Sequence, residues 1–260
     1  MLSTGLKDRP LGLQILGCEP KFILKGMDVL SKFKFDILDF NAACPAKKVV
    51  RRGEGASLLK EPKKLNSLLK LVVKNSKVPV TVKIRTGWDR DSINAREVAL
   101  LAQDAGVSGL FIHGRTKQEG YSGPVDYPTI RQVKEALVIP VIASGDALSG
   151  QLIKKMFDQT GCDAVAVARG ALGNPWIFQG TSPGRDEIMA VMLAHLKAYV
   201  DFYGERIGVI RFRKFFSWYT KGFKRVRELR EKSSRVKTEE KMREIIEESC
   251  DPKIPSLSTP

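Results

Sequence analysis

The sequence predicts an α/β fold: a (β/α)8 TIM-type barrel with six of its eight βα units present, followed by a C-terminal helical domain. Three observations predict it. Short apolar runs alternate with amphipathic helical segments, as parallel strands covered by helices require. Polar and glycine-rich residues collect where those runs end: Asn41–Cys44, Arg85–Trp88, His113–Thr116, Ser144–Asp146 and Arg169-Gly170. After Pro183-Gly184-Arg185 the alternation gives way to helices alone. A doubly wound open sheet shares the alternation but gathers its function at one switch point. Here every visible strand ends in candidate chemistry, which favours the barrel.

In chain order, Leu11–Leu16 is the first predicted strand and Lys21–Lys32 the first helix. Asp36–Phe40 is the second strand, and Glu61-Pro62 opens a helix running to Asn75, with proline suited to a first helical turn. Val80–Ile84 is a β-branched strand, followed by a helix over Ser92–Ala105 with Ser92 or Asp91 as cap. Gly109–His113 and Tyr127–Ala136 form the next strand and helix, then Pro140–Ala143 and Gly150–Gln159, and Asp163–Val167 is the last strand. Helical periodicity returns at Asp186–Tyr203, Val209–Lys221 and Thr238–Glu248. The expected domains are a barrel over 1–183, N-terminally truncated, a helical domain over 184–250 and a flexible tail over 251–260.

Four cysteines lie far apart with no CxxC, which argues against a zinc site or a disulfide framework and fits a reducing compartment. No apolar run reaches membrane-spanning length and the N-terminus lacks a signal-peptide core, so the expectation is a soluble, cytoplasmic, monomeric protein without metal. The net charge of +15 is uneven: Arg206 to Lys237 holds twelve Lys/Arg against two Glu. Such a field favours a polyanion, with a solvated helix face as the plain alternative.

The stretch Asp39-Phe40-Asn41-Ala42-Ala43-Cys44-Pro45 delivers a cysteine to the mouth of a strand, where proline ends the ladder. A thiol there can donate a proton; it can equally be a small buried hydrophobe. Lys83 inside a barrel strand needs a partner or must snorkel to the rim. Arg85, two residues on, shares its face and could bind substrate or pair with an acid. His113 has no acidic or histidine partner at metal spacing.

These motifs, with Pro10–Gln14, Gly53–Leu59, Val80–Trp88, His113–Thr116, Gly120–Pro124 and Ala168–Trp176 in order, resemble the tRNA-dihydrouridine synthase family. The resemblance implies a flavoenzyme that reduces uridines in tRNA, with FMN bound and NADPH, or NADH, as reductant. It implies that Cys44 is the general acid. Gln14, Lys83 and His113 then contact the flavin ring, and Ser144, Gly145, Asp146, Ala168 and Arg169 hold its phosphate. Asn41 is placed near the flavin–uracil junction, and Arg85, Arg115, Arg211, Arg213 and Lys214 become candidates for tRNA. Members of the family begin with two further strands, the first ending in an Ala-Pro-Met type turn at the flavin, and neither is found here. Ala43, Ser144 and Ala168 replace the usual Gly, Asn and Gly. The competing expectation is a non-catalytic tRNA-binding relative whose flavin site is incomplete.

Overall fold

The computed structural model describes residues 9–251. These divide into two compact units, one of residues up to 147 with 151–167, the other of 148–150 with residues from 168 onward.

The first unit is built on one six-stranded sheet. Its strands β1 (Gly12–Ile15), β2 (Ile37–Asn41), β3 (Val80–Arg85), β4 (Gly109–His113), β5 (Val141–Ser144) and β6 (Ala164–Ala166) lie side by side in chain order. Every pair is parallel. The main helices between them are α1 (Pro20–Leu30), α3 (Pro62–Asn75), α4 (Ala95–Asp104), α5 (Tyr127–Ala136) and α6 (Gly150–Thr160). The short α2 (Lys47–Val50) and a 3-10 turn (Gly55–Lys60) follow β2.

The side-chain period of two sorts each strand into two faces. Leu38 and Phe40, Val80, Val82 and Ile84, Leu110 and Ile112, Val141 and Ala143 form one core with Ile23, Leu65, Leu69, Val98, Ile130 and Met156 of the helices. Asp39 and Asn41, Lys83 and Arg85, His113 and Ser144 occupy the intervening positions on the opposite face. Sequential strand order with no switch point, and one apolar face shared with the helices, is the arrangement of a barrel wall. The fold class read from the sequence therefore holds: an incomplete α/β barrel with a helical C-terminal part.

Several boundaries differ: the helix expected from Val209 begins at Glu205, and two further shifts have identifiable causes. The helix expected from Ser92 begins at Ala95, because Asp89 and Ser92 close a capping box on a separate 3-10 turn, Arg90–Ser92. Apart from residues 148–150, the second unit begins at Ala168, ahead of the composition change at 183. Residues 168–183 join the helices through specific contacts: Trp176 Nε1 donates to the Glu187 carboxylate, and Gly173, at φ +71°, lies directly against the Trp218 backbone.

The second unit holds α7 (Arg185–Tyr203), α8 (Glu205–Tyr219), α9 (Val226–Arg235) and α10 (Glu239–Cys250). Met192, Leu196, Val209, Phe212, Phe216, Leu229, Met242 and Ile246 make its core. α7 and α8 cross closely at Gly208, where a Cβ would stand 2.6 Å from the Tyr199 carbonyl oxygen. α9 was not expected from sequence: its inward residues reduce to Leu229 and Ser233, in a segment otherwise rich in charge. The expected tail lies outside the described residues beyond Asp251.

Candidate active site

The polar face of the first unit carries a connected network. Gln14 Nε2 donates to Asp39 Oδ2 at 2.7 Å, and Gln14 Oε1 accepts from Asn41 Nδ2 at 2.7 Å. Asn41 Oδ1 accepts from the backbone N–H groups of Ala43 (3.0 Å) and Cys44 (2.9 Å). One asparagine thus shapes the turn that presents the cysteine, as Asn does when its side chain satisfies N–H groups two and three residues on. From the other side, the Cys44 carbonyl accepts from Ala56 N–H at 3.1 Å. Cys44 itself is half-buried.

Gly55 closes this clamp. It sits at φ +60°, and a Cβ there would meet the Cys44 carbonyl oxygen at 2.8 Å and Cys44 Cβ at 3.0 Å. Gly55→Ala is expected to displace the cysteine turn and cost about 1–2 kcal/mol for the left-handed backbone alone. Comparison of urea unfolding midpoints, alongside the alkylation rate of Cys44, checks this.

Asp39 was not singled out from sequence, although it shares a strand face with Asn41 at a spacing of two. It accepts from both Gln14 and Thr81, the latter at 2.7 Å. Burial raises its pKa, opposed by those hydrogen bonds and by Lys83. Burial likewise lowers the Lys83 pKa, against the pull of Asp39. Lys83 Nζ donates to Ser144 Oγ at 3.2 Å, and Ser144 Oγ donates its one hydrogen to the Ile112 carbonyl at 3.1 Å. The 3.4 Å contact between Ser144 Oγ and His113 Nδ1 then requires the imidazole proton on Nδ1. His113 Nε2 is left as a buried acceptor with no partner.

Burial and the neighbouring cations Arg85, Lys83 and Arg115 push His113 down to about 3 from an ordinary 6.5. Between those values the unfolded chain binds a proton that the folded chain refuses, so stability falls as pH drops from 6.5 toward 3. His113→Gln is expected to flatten that part of the profile, measured as the urea midpoint against pH.

Arg85 and Arg115 are both buried braces. Arg85 Nε donates to the Ala43 carbonyl (2.8 Å), and Nη1 donates to those of Thr116 (3.0 Å) and Gly120 (2.8 Å). The Tyr121 ring lies 5.6 Å from its guanidinium carbon. Arg115 donates to the Gly123 carbonyl through Nε and Nη2 and forms an ion pair with Asp146. Asp146 stands at φ +48° and Gly145 at φ +130°, so the end of β5 is a tight turn held by that pair.

The remaining predicted residues belong to the second unit. Ala168 and Arg169 stand at the start of a 3-10 turn (Arg169–Ala171). Arg211, exposed on α8, lies with its guanidinium carbon 4.4 Å from the Tyr203 ring centroid. Lys214 Nζ is 4.9 Å from the ring of Phe215. Arg213 turns inward and donates twice to the Val236 carbonyl, at 3.1 and 2.5 Å. Among the described residues no group of three His, Cys, Asp or Glu could hold a metal ion, and no helix is long and apolar enough to cross a membrane.

The family model for dihydrouridine synthase matches residues 1–255. The chain belongs to the dihydrouridine synthase family. It is 40% identical over 221 residues to tRNA-dihydrouridine synthase B of Pasteurella multocida, covering 81% of this chain and 67% of that protein. The protein of the same name from Pseudomonas aeruginosa is 38% identical over 241 residues, 88% of this chain and 73% of the relative. That from Vibrio parahaemolyticus is 41% identical over 229 residues, 84% of this chain and 71% of the relative. Membership makes the chain an oxidoreductase of the dihydrouridine synthase type, as the ordered motifs implied.

Proposed function

We propose that this chain reduces uridines of tRNA to 5,6-dihydrouridine, with FMN as its bound cofactor, NADPH or NADH as reductant and Cys44 as the proton donor. The observation that carries the reading is the Asn41–Cys44 turn. It stands at the carboxyl end of β2, on the strand that bears Asp39 and beside Lys83, in a network of fixed hydrogen bonds.

The residues present fit a flavin. A planar ring with alternating donors and acceptors needs complementary groups from a polar, partly buried wall. His113 Nε2 is a buried acceptor without a partner, Lys83 has a single hydrogen bond to Ser144, and the Gln14 amide is exposed. Gln14, Lys83 and His113 would hold the ring. Ser144, Gly145 and Asp146 would approach its phosphate side. A bound flavin supplies a hydride to C6 of uracil; the protein must place the base and deliver a proton to C5. Lys83 adds positive charge, which favours the reduced cofactor. Cys44 provides the proton at a position fixed by Asn41 on one side and Ala56 on the other.

Arg211 and Lys214 are proposed to hold tRNA phosphates. Arg213 supports them by bracing α8 to the Val236 carbonyl, and Arg85 and Arg115 act by positioning loops. The barrel unit is proposed as the catalytic part and the helical unit as the tRNA-binding part of a cytoplasmic monomer. Incubating the protein with FMN, NADPH and unmodified tRNA should give nucleosides that have gained two hydrogens, read by mass spectrometry. Protein that binds tRNA but neither takes up FMN nor yields this product would be a non-catalytic relative.

A further inference from the structure

Trp88 follows β3 by three residues and carries two ammonium groups against its ring. Lys117 Nζ lies 4.4 Å from the indole centroid and Lys60 Nζ 4.8 Å. The two nitrogens are therefore within about 9 Å of each other, the sum of those distances. Neither lysine forms an ion pair among the described residues. Like charges gathered this closely repel, and a cation–π contact offsets only part of that.

Hydrogen bonds to backbone carbonyls hold together the loops that bear these side chains. Lys117 N–H donates to the Gly87 carbonyl at 2.9 Å and Gln118 N–H to the Trp88 carbonyl at 3.0 Å. Asn94 Nδ2 donates to the Leu59 carbonyl at 2.7 Å, tying the turn that bears Lys60 to the same loop. Gly87 leaves no room for a side chain, since a Cβ would stand 2.4 Å from the Ser92 carbonyl oxygen. Beside the indole is a cavity of about 420 Å³, lined by Leu59, Lys60, Trp88, Asp89, Ser92 and Asn94. Asp89 also lines it and accepts from Ser92 Oγ at 2.6 Å, keeping its negative charge, so a phosphate is placed on the lysine side of the indole.

We propose that Lys60, Trp88 and Lys117 form a nucleotide subsite on the first unit. It would take an unpaired residue of the RNA substrate, the base displacing ammonium from the indole face to stack on Trp88 while Lys60 and Lys117 swing to its phosphate. An aromatic face between cations is the general means of holding single-stranded nucleic acid without reading its sequence. The subsite lies on the same loops that Arg85 ties to Ala43, so it grips RNA on the rim that carries Cys44. This rests on the tRNA reading above and adds a contact distinct from the basic helical tail.

The test uses the full-length holoenzyme and unmodified tRNA. Trp88→Ala is expected to raise the KM for tRNA roughly tenfold, more than it lowers kcat, and Trp88→Phe to restore most of the loss. Lys60→Gln and Lys117→Gln should each reduce the slope of log affinity against log salt by about one. Lys25→Gln, on α1 and outside these loops, should leave that slope unchanged. Wild-type salt slopes in the double lysine variant, or a Trp88→Ala variant with an unaltered KM, would overturn the subsite while leaving the tRNA reading in place. A wild-type protein that neither binds nor reduces tRNA would overturn both.

Discussion

Cys44→Ala is expected to leave flavin reduction by NADPH intact while slowing dihydrouridine formation by about 10²–10⁴-fold, the usual contribution of a positioned proton donor. The substitution is a clean one for structural reasons. The backbone of residue 44 is held by Asn41 Oδ1 on its N–H and by Ala56 N–H on its carbonyl. Alanine keeps both bonds and removes only the thiol. The side chain is half-buried, so the lost packing is small beside a fully buried cysteine. Stopped-flow bleaching of flavin absorbance separates the first half-reaction from the second, which is followed by nucleoside mass analysis. A variant that bleaches normally and still forms dihydrouridine at the wild-type rate would show that another group delivers the proton.

Much of this site was legible because chemistry and periodicity coincide. Strands alternating with helices located all six strands, and the polar residues at their ends fall on one face of the sheet. Gly109–His113 and Tyr127–Ala136 fall where periodicity put them. What escaped depends on partners distant in sequence. Nothing local tells Arg85 to reach the carbonyls of Thr116 and Gly120, or Arg115 to reach Gly123 and Asp146. From sequence both read equally well as substrate contacts. Asp39 drew no notice because a strand-end carboxylate looks solvated until Gln14 and Thr81 close over it. α9 hid for the opposite reason: a helix that buries little beyond Leu229 and Ser233 leaves almost no apolar period to detect.

Removing the Arg85 guanidinium should be the most damaging single change outside the reacting groups. Arg85 is 2% exposed and joins two loops, through the Ala43 carbonyl of one and the Thr116 and Gly120 carbonyls of the other. Arg85→Met keeps an unbranched stem of similar length but leaves those acceptors without their donor. A buried polar group stranded in this way costs about 1–3 kcal/mol, and two separate sides of the fork are affected. The expected loss is about 3 kcal/mol in the urea unfolding free energy, with Arg85→Lys recovering only part because one ammonium cannot span both sides. The damage should reach the chemistry through Ala43, which precedes the cysteine. Cys18, Cys162 and Cys250 are buried, whereas Cys44 is half-buried, so iodoacetamide applied to the folded protein reports mainly on Cys44. Under conditions where Arg85→Met remains folded, its Cys44 should be alkylated faster than in the wild type, and uridine reduction should fall further than flavin reduction. Equal alkylation and an undiminished reduction rate would mean that the Asn41 and Ala56 bonds hold the turn without help from the arginine.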